Sequence, residues 1–292
     1  MPADLLTLAR PRQWTKNLAV FAAIIFAGRL TDPVLLVRVC LAFVALCLVS
    51  AGMYAFNDAI DAERDRLHPV KCDRPVASGR IGKASAYAFA AACELVGITL
   101  SVALGWPFFV TVATYVVLHV LYSVWLKHIT IVDMLAIAAG FVLRAVGGAA
   151  VISVPVSPWL ILCTGLLALF LVAAKRRHET VLLQQASAGH RPVLSDYSAE
   201  LLDSFMVTLS AATVTSYALY TFFEGKAPHS AMMLTIPFVV YGVLRYQLLV
   251  LTRGGGGRPD EVLLTDRPII IDLALWIASA VFVIYVLPRF VR

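Results

Sequence analysis

Residues 57–65, Asn-Asp-Ala-Ile-Asp-Ala-Glu-Arg-Asp, place three aspartates and an asparagine directly after an apolar run from Ala42 to Phe56. If the helix of that run continues through them, Asn57, Asp61 and Asp65 stand at about 0°, 40° and 80° around its axis and Asp58 at about 100°. Four oxygen-bearing side chains on one face repel each other unless a cation joins them. Oxygen ligands select hard cations, and Mg²⁺ is held by one or two carboxylates together with water and substrate phosphates. The spacing therefore points to Asn57, Asp58, Asp61 and Asp65 as metal ligands, with the three aspartates as the catalytic carboxylates. The competing explanation is a solvated acidic helix end countered by Arg64 and Arg66.

The adjoining loop favours chemistry. Arg66, His68, Lys71, Arg74, Arg80 and Lys83 crowd beside the acids, and Ser78, Gly79 and Gly82 permit close backbone approach. Metal-binding acids beside Lys and Arg describe a polyphosphate site, in which the metal bridges phosphate oxygens and the cations neutralise the remainder. A loop that bound only anionic lipid would need the basic residues and not the acidic ones.

A second constellation, Lys175-Arg176-Arg177-His178-Glu179, closes another apolar run. Helical spacing puts Lys175, Arg176 and Glu179 on one face and turns Arg177 and His178 away. Its competing explanation is a basic anchor at a membrane rim. Shorter signals lie at the same depth: Arg10, Gln13, Trp14, Lys16 and Asn17 before the first run, and Tyr122, Lys127 and Asp133 around a short turn. The stretches 195–198 (Ser-Asp-Tyr-Ser) and 265–268 (Thr-Asp-Arg-Pro) read equally as helix caps.

The elements that must position these groups are membrane helices. Of 292 residues, 60% are hydrophobic and 14% charged, whereas a soluble domain carries about a quarter charged residues. The reading is all-α, a polytopic integral membrane protein forming one domain over 1–292. Spans of about 20 apolar residues are expected at 15–30, 34–56, 84–104, 107–126, 130–152, 157–175, 204–223, 230–251 and 268–288. Small residues recur in them, as close packing in lipid favours. The opening residues lack the charged start and cleavage site of a signal peptide, so the first helix is expected to be kept. Gly254–Gly257 reads as a flexible connector and not a phosphate loop, because no strand precedes it and no helix follows. The five cysteines show no metal or disulfide spacing.

Most of the 24 Lys and Arg fall in the N-terminus and in loops 57–83, 127–129, 176–203 and 252–267, leaving Arg29, Arg38, Lys226, Arg289 and Arg292 on the opposite side. Basic short loops stay cytoplasmic. The expectation is a plasma-membrane protein with its N-terminus and polar site cytoplasmic and, after nine spans, its C-terminus outside. Two arginines remain. Arg245 is near enough to a helix end to snorkel. Arg144 lies deeper, where an ionisable group marks either function, here substrate binding, or a structural ion pair with Glu94 or Asp133. Nothing suggests a nucleic-acid partner, and a homo-oligomer stays open.

With these residues in view, the chain resembles the UbiA-type intramembrane prenyltransferases. The signature is Asn-Asp-x-x-Asp-x-x-x-Asp at the cytoplasmic end of the second helix, followed by Arg74-Pro-Val-Ala-Ser-Gly, and the resemblance covers nearly the whole chain. Ordinary members carry a second Asp-rich motif after the sixth helix, where this chain has Lys175–Glu179. That departure, with residues 10–17, 68–79, 140–149 and 266–271, resembles the decaprenyl-phosphate phosphoribosyltransferase branch. The resemblance implies a Mg²⁺-dependent transfer of 5-phosphoribose from 5-phosphoribosyl 1-diphosphate (PRPP) to a polyprenyl phosphate, a step toward cell-wall arabinan. It implies metal at Asp61 and Asp65 with Asn57 or Asp58. Substrate would meet Arg10, Gln13, Lys16, Asn17, Arg66, Lys71, Arg74, Ser78, Tyr122, Lys127, Asp133, Arg144, Lys175, Arg176 and Glu179. The rivals are a UbiA-type aromatic prenyltransferase, which the missing second motif disfavours, and a lipid-phosphate transporter, which leaves the one-sided charged motifs unexplained.

Overall fold

In lipid each backbone N–H and C=O must find a partner inside the protein, so an apolar chain without a closed barrel folds as helices. The computed structural model follows that rule. It describes residues 2–67, 71–185, 196–223, 228–253, 262 and 265–290, and no strand occurs among them. Helix α1 covers Pro2–Ala9. A 3₁₀ helix over Pro11–Phe21 leads into α2, Ala22–Phe26. Then come α3 (Pro33–Ile60), α4 (Ala62–Arg66), α5 (Lys83–Leu104), α6 (Trp106–Val124) and α7 (Val132–Val151). The chain continues through α8 (Pro158–Gln185), α9 (Ala199–Phe223), α10 (Ile236–Arg253) and α11 (Arg267–Val281).

Eight described segments are long and apolar enough to cross a membrane: α3, α5, α6, α7, α8, α9, Ala231–Thr252 around α10, and Arg267–Arg289 beginning with α11. The stretch 15–30, expected as the first of nine spans, is not among them. Its α-helical part is the five residues of α2, and the chain turns at Gly28 with φ 71°. The physical reason is in its first half, where Thr15, Lys16 and Asn17 interrupt the apolar character and Pro11 opens a 3₁₀ helix. The connector 254–257 and His68 lie outside the described residues, as does Ser195 of the 195–198 stretch.

The chain divides into two compact units. The first comprises Met1–Ile24, Arg29–Val124 and Leu143–Pro155; the second comprises Ile25–Gly28, Trp125–Val142 and Val156–Arg292.

In the first unit α3 and α5 pack closely because small residues line their seam. A β-carbon at Gly97 would stand 2.7 Å from Val49 Cγ2 and 3.1 Å from the Ala45 carbonyl oxygen. Toward the end of the same seam Leu8, Ala55, Ala59, Ala62, Val76, Ile81, Ala86 and Ala90 form a buried cluster. It draws α1, α4 and the loop after α4 onto the end of α3. Asp32 caps α3, accepting hydrogen bonds from Val34 N and Leu35 N, with Pro33 at the first helical position. Arg38 of α3 donates Nε to the Val151 carbonyl (2.9 Å) and Nη2 to the Leu104 carbonyl (2.6 Å). These are end carbonyls of α7 and α5, which have no partner within their own helices.

The second unit buries Phe170, Leu202, Met206, Tyr246 and Ile269, contributed by α8, α9, α10 and α11. Asp266 caps α11 through the Ile269 N–H at 3.1 Å and also pairs with Arg245 at 2.9 Å. Arg245, read from sequence as snorkelling, is therefore held by a carboxylate.

Candidate active site

The acidic stretch does not form one uninterrupted helix. α3 ends at Ile60, and Asp61 adopts φ −83° and ψ 2° before α4 begins. Hydrogen bonds still cross the break, from Asp61 N to Asn57 O at 2.9 Å and from Asp65 N to Asp61 O at 2.8 Å. The change of direction lets α4 bury Ala62 against Ala59, Val76 and Ile81. It also divides the four oxygen-bearing residues. Asp58 and Asp65 are each only 3% exposed, while Asn57 and Asp61 remain half-buried. Asp61 makes no side-chain hydrogen bond or ion pair among the described residues.

Two arginines reach the buried carboxylates. Arg10 Nη2 donates to Asp58 Oδ1 at 2.5 Å, and its guanidinium lies 5.1 Å from the centre of the Tyr54 ring. Arg10 is itself in the left-handed region, φ 51°, a conformation uncommon for a residue with a side chain. It forms the corner between α1 and the 3₁₀ helix. Arg74 Nη1 donates to Asp58 Oδ1 at 3.1 Å and to Asp65 Oδ2 at 2.6 Å. One nitrogen thus bridges both acids.

Turns hold Arg74 in place. Its N–H bonds Lys71 O at 3.0 Å and its carbonyl accepts from Ser78 N at 2.9 Å. Arg66 Nε supports the same loop through the Ala77 carbonyl at 2.9 Å. Lys71 is half-buried and Ser78 exposed. On the outer side of α4, Glu63 pairs with Lys83 and Arg66, each at 2.9 Å. The Lys83 hydrogen bond is the main reason its carboxyl is held below the ordinary glutamate range.

Deeper in the first unit, Arg144 donates Nε to Asn17 Oδ1 at 2.7 Å and Nη2 to the Tyr115 hydroxyl at 2.6 Å. Asn17 is fully buried and donates Nδ2 to Cys47 Sγ at 3.3 Å. The ion pair considered for Arg144 does not form. Both Glu94 carboxylate oxygens are buried without a hydrogen-bond partner, and Asp133 is bonded elsewhere. Arg144 instead fastens the 3₁₀ helix to α7. Gly148, one turn further along, completes that seat, since a β-carbon there would overlap the Val20 carbonyl. Lys16 donates to Gln13 on the same 3₁₀ helix, and Tyr122 is half-buried at the end of α6.

In the second unit the Lys175–Glu179 stretch is not a free cationic patch. Arg176 is 1% exposed. It donates Nε to Asp133 Oδ2 at 2.7 Å and Nη1 to Glu179 Oε2 at 2.5 Å. A buried guanidinium needs such partners to offset its lost hydration, so its charge is already matched. Arg177 pairs with Asp203. Lys175 and Lys127 are half-buried.

The Tyr197 hydroxyl donates to Asp133 Oδ1 at 2.9 Å and accepts from Ile131 N at 2.6 Å. Burial and the bond to Asp133 push its phenol up to about 12, against an opposing contribution from the Ile131 N–H. Ile131 pays for that geometry with a left-handed φ of 68°, unusual for a β-branched residue.

Tyr54 and Tyr115 join the polar clusters without having been singled out from sequence, and Tyr197 was read only within the 195–198 stretch. Tyr115 and Tyr54 sit in apolar runs, where a tyrosine reads as ordinary filling. Tyr197 contacts a residue 64 positions away.

The donor chemistry fits a hard divalent cation. The side chains brought together at the end of α3 offer oxygen only, and a guanidinium nitrogen already stands between the two buried carboxylates. Among the described residues no group of three His, Cys, Asp or Glu side chains is placed to hold a metal. Two protein carboxylates completed by water and substrate oxygens is the arrangement Mg²⁺ commonly takes.

Described residues that form helices and no strand, with eight segments able to cross a membrane and buried acid–arginine clusters at helix ends, define a multi-pass membrane protein with a polar site. The UbiA prenyltransferase family model matches residues 17–258. The chain belongs to that family, and with it to the membrane-embedded transferases.

A decaprenyl-phosphate phosphoribosyltransferase of Corynebacterium glutamicum is 32% identical over 289 residues, covering 96% of this chain and 86% of the relative. One from Mycolicibacterium smegmatis is 34% identical over 299 residues, covering 97% and 93%. A UbiA homologue from Archaeoglobus fulgidus, solved bound to GPP and Mg²⁺, superposes with a TM-score of 0.75 at 21% identity and covers 97% of this chain and 100% of that one. The last likeness carries the fold alone.

Proposed function

We propose that this chain transfers 5-phosphoribose from PRPP to decaprenyl phosphate, giving decaprenylphosphoryl-5-phosphoribose and diphosphate, a precursor step for arabinan of the cell wall. The observation that carries the reading is identity of 32% and 34% over nearly the whole chain to two phosphoribosyltransferases. The carboxylate pair Asp58 and Asp65 set among arginines supports it. The chain acts as one transferase domain in the plasma membrane, with its N-terminus and site cytoplasmic and its C-terminus outside.

Asp58, Asp61 and Asp65, with Asn57, are the residues to hold Mg²⁺. Bound there, the ion supplies Lewis-acid neutralisation of charge on the leaving diphosphate. Arg10 and Arg74 add fixed positive charge at the carboxylates, and Lys71 and Lys16 are further cations of the first unit assigned to the diphosphate. An acceptor phosphate oxygen is already ionised at neutral pH, so it attacks the ribose anomeric carbon without a general base as the diphosphate departs. The chain's work is positioning and electrostatics. Lys175 and Lys127, both half-buried, are the cations of the second unit assigned to the ribose 5-phosphate or the lipid phosphate. Arg176 orders that region through Asp133 and Glu179.

Membranes carrying the protein, given ¹⁴C-PRPP, decaprenyl phosphate and Mg²⁺, are expected to yield a labelled lipid with the mass of decaprenylphosphoryl-5-phosphoribose. Absence of that lipid, with prenylation of an aromatic acceptor by a prenyl diphosphate instead, overturns the assignment in favour of the aromatic prenyltransferase reading.

A further inference from the structure

Arg74 occupies the place where two carboxylates would share a cation. Its Nη1 lies 3.1 Å from Asp58 Oδ1 and 2.6 Å from Asp65 Oδ2. A metal held by Asp58 and Asp65 would draw on the negative charge of these same two carboxylates. A carboxylate oxygen facing a guanidinium nitrogen at hydrogen-bond distance cannot also coordinate a divalent ion along the same direction, and the two cations repel at such separations. Metal and Arg74 therefore compete.

The two arginines on the pair are not equivalent. Arg10 bonds Asp58 alone, from the corner after α1. Arg74 is the side-chain partner of Asp65 and sits in the turn after α4 with 30% of its side chain exposed. It has solvent to move into, whereas the carboxylates, only 3% and 4% exposed, do not. A guanidinium turned outward from this turn presents a planar fork of N–H donors suited to phosphate oxygens.

We propose that Arg74 exchanges places with the metal: the carboxylates it bridges pass to the divalent ion, and its guanidinium passes to the diphosphate of the substrate. The inference rests on the reading of Asp58 and Asp65 as metal ligands. Its consequence is coupling. Metal binding without a phosphate ligand must displace Arg74 into water, while diphosphate gives the displaced guanidinium a partner, so each ligand favours the other. A purely structural Arg74, holding the loop to α3 and α4, produces no such competition.

The test uses Mn²⁺ alone with the full-length protein in detergent. Free Mn²⁺ measured by EPR is expected to show at least tenfold tighter binding to Arg74→Gln than to wild type, because the competing charge is gone. In wild type, the rate at which phenylglyoxal modifies Arg74, read by peptide mass, is expected to rise at least threefold on adding Mn²⁺. Equal or weaker Mn²⁺ binding by folded Arg74→Gln overturns the exchange. If that variant fails to fold, an unchanged phenylglyoxal rate in wild type overturns it instead. Labelled lipid formed by the wild type alongside either result leaves the transferase reading standing and removes only the exchange. No Mn²⁺ binding by wild type or variant removes the metal role of Asp58 and Asp65 together with it.

Discussion

Arg176 Nε lies 2.7 Å from Asp133 Oδ2, and neither side chain is more than 1% exposed. A shielded pair of this kind is costly to break, because removing one partner strands the other charge at about 3–5 kcal/mol. Arg176→Ala and Asp133→Ala are each expected to lower thermal stability sharply in detergent. The double variant Arg176→Met/Asp133→Leu is expected to recover part of the loss. Additive losses in the double variant would show that the two residues act independently.

Among the described residues Asp61, unlike Asp58 and Asp65, has no side-chain partner to lose. Asp61→Ala is expected to leave the unfolding temperature within the range of an ordinary surface change, about 0.5 kcal/mol, and to abolish formation of labelled lipid. Asp65→Asn, which loses its bond to Arg74 at 2.6 Å as a charged pair, is expected to reduce both. Parallel thermal melts and lipid assays separate the two.

The Tyr197 phenol titrates near 12 in the folded protein, whereas an ordinary tyrosine titrates at about 10. Between those values the folded state keeps a proton that the unfolded state has released, so stability falls as pH rises through that window and is fully present below it. Urea melts between pH 9 and 12 are expected to show this decline in wild type and a shallower one in Tyr197→Phe.

Gly148→Ala drives a methyl group into the Val20 carbonyl, which is backbone and has no rotamer to give. A loss of at least about 1–3 kcal/mol is expected. Gly165→Ala in α8 is the control, because its nearest atom, Val142 Cγ2, would be 3.5 Å away. There the better helix propensity of alanine is expected to leave stability equal or higher.

The helical, membrane-crossing character was legible because it is a property of composition, and in lipid composition leaves the backbone little choice. The segment 15–30 was less fully legible. Its average apolarity reads as a span, yet it begins with Thr15, Lys16 and Asn17 in a 3₁₀ helix, and Asn17 is committed to Arg144, 127 positions away. The acidic stretch 57–65 was legible as a place for a cation, because three carboxylates within a few turns need one. Which cations the structure supplies was not, since Arg10 lies 48 positions from Asp58 and only the fold brings them together. Arg176 marks a further boundary. A run of basic residues announces positive charge, but whether that charge is available depends on acids such as Asp133 that no local pattern joins to it.

Arg38 has a consequence for how membrane orientation is read from charge. Tallies of Lys and Arg across loops treat every arginine as a vote cast for one face of the bilayer. Arg38 is engaged by the terminal carbonyls Leu104 and Val151, so its position follows from closing two helix ends rather than from membrane potential or translocation. Striking it from the minority face makes the asymmetry steeper, and arginines used as such rivets belong outside any topological count.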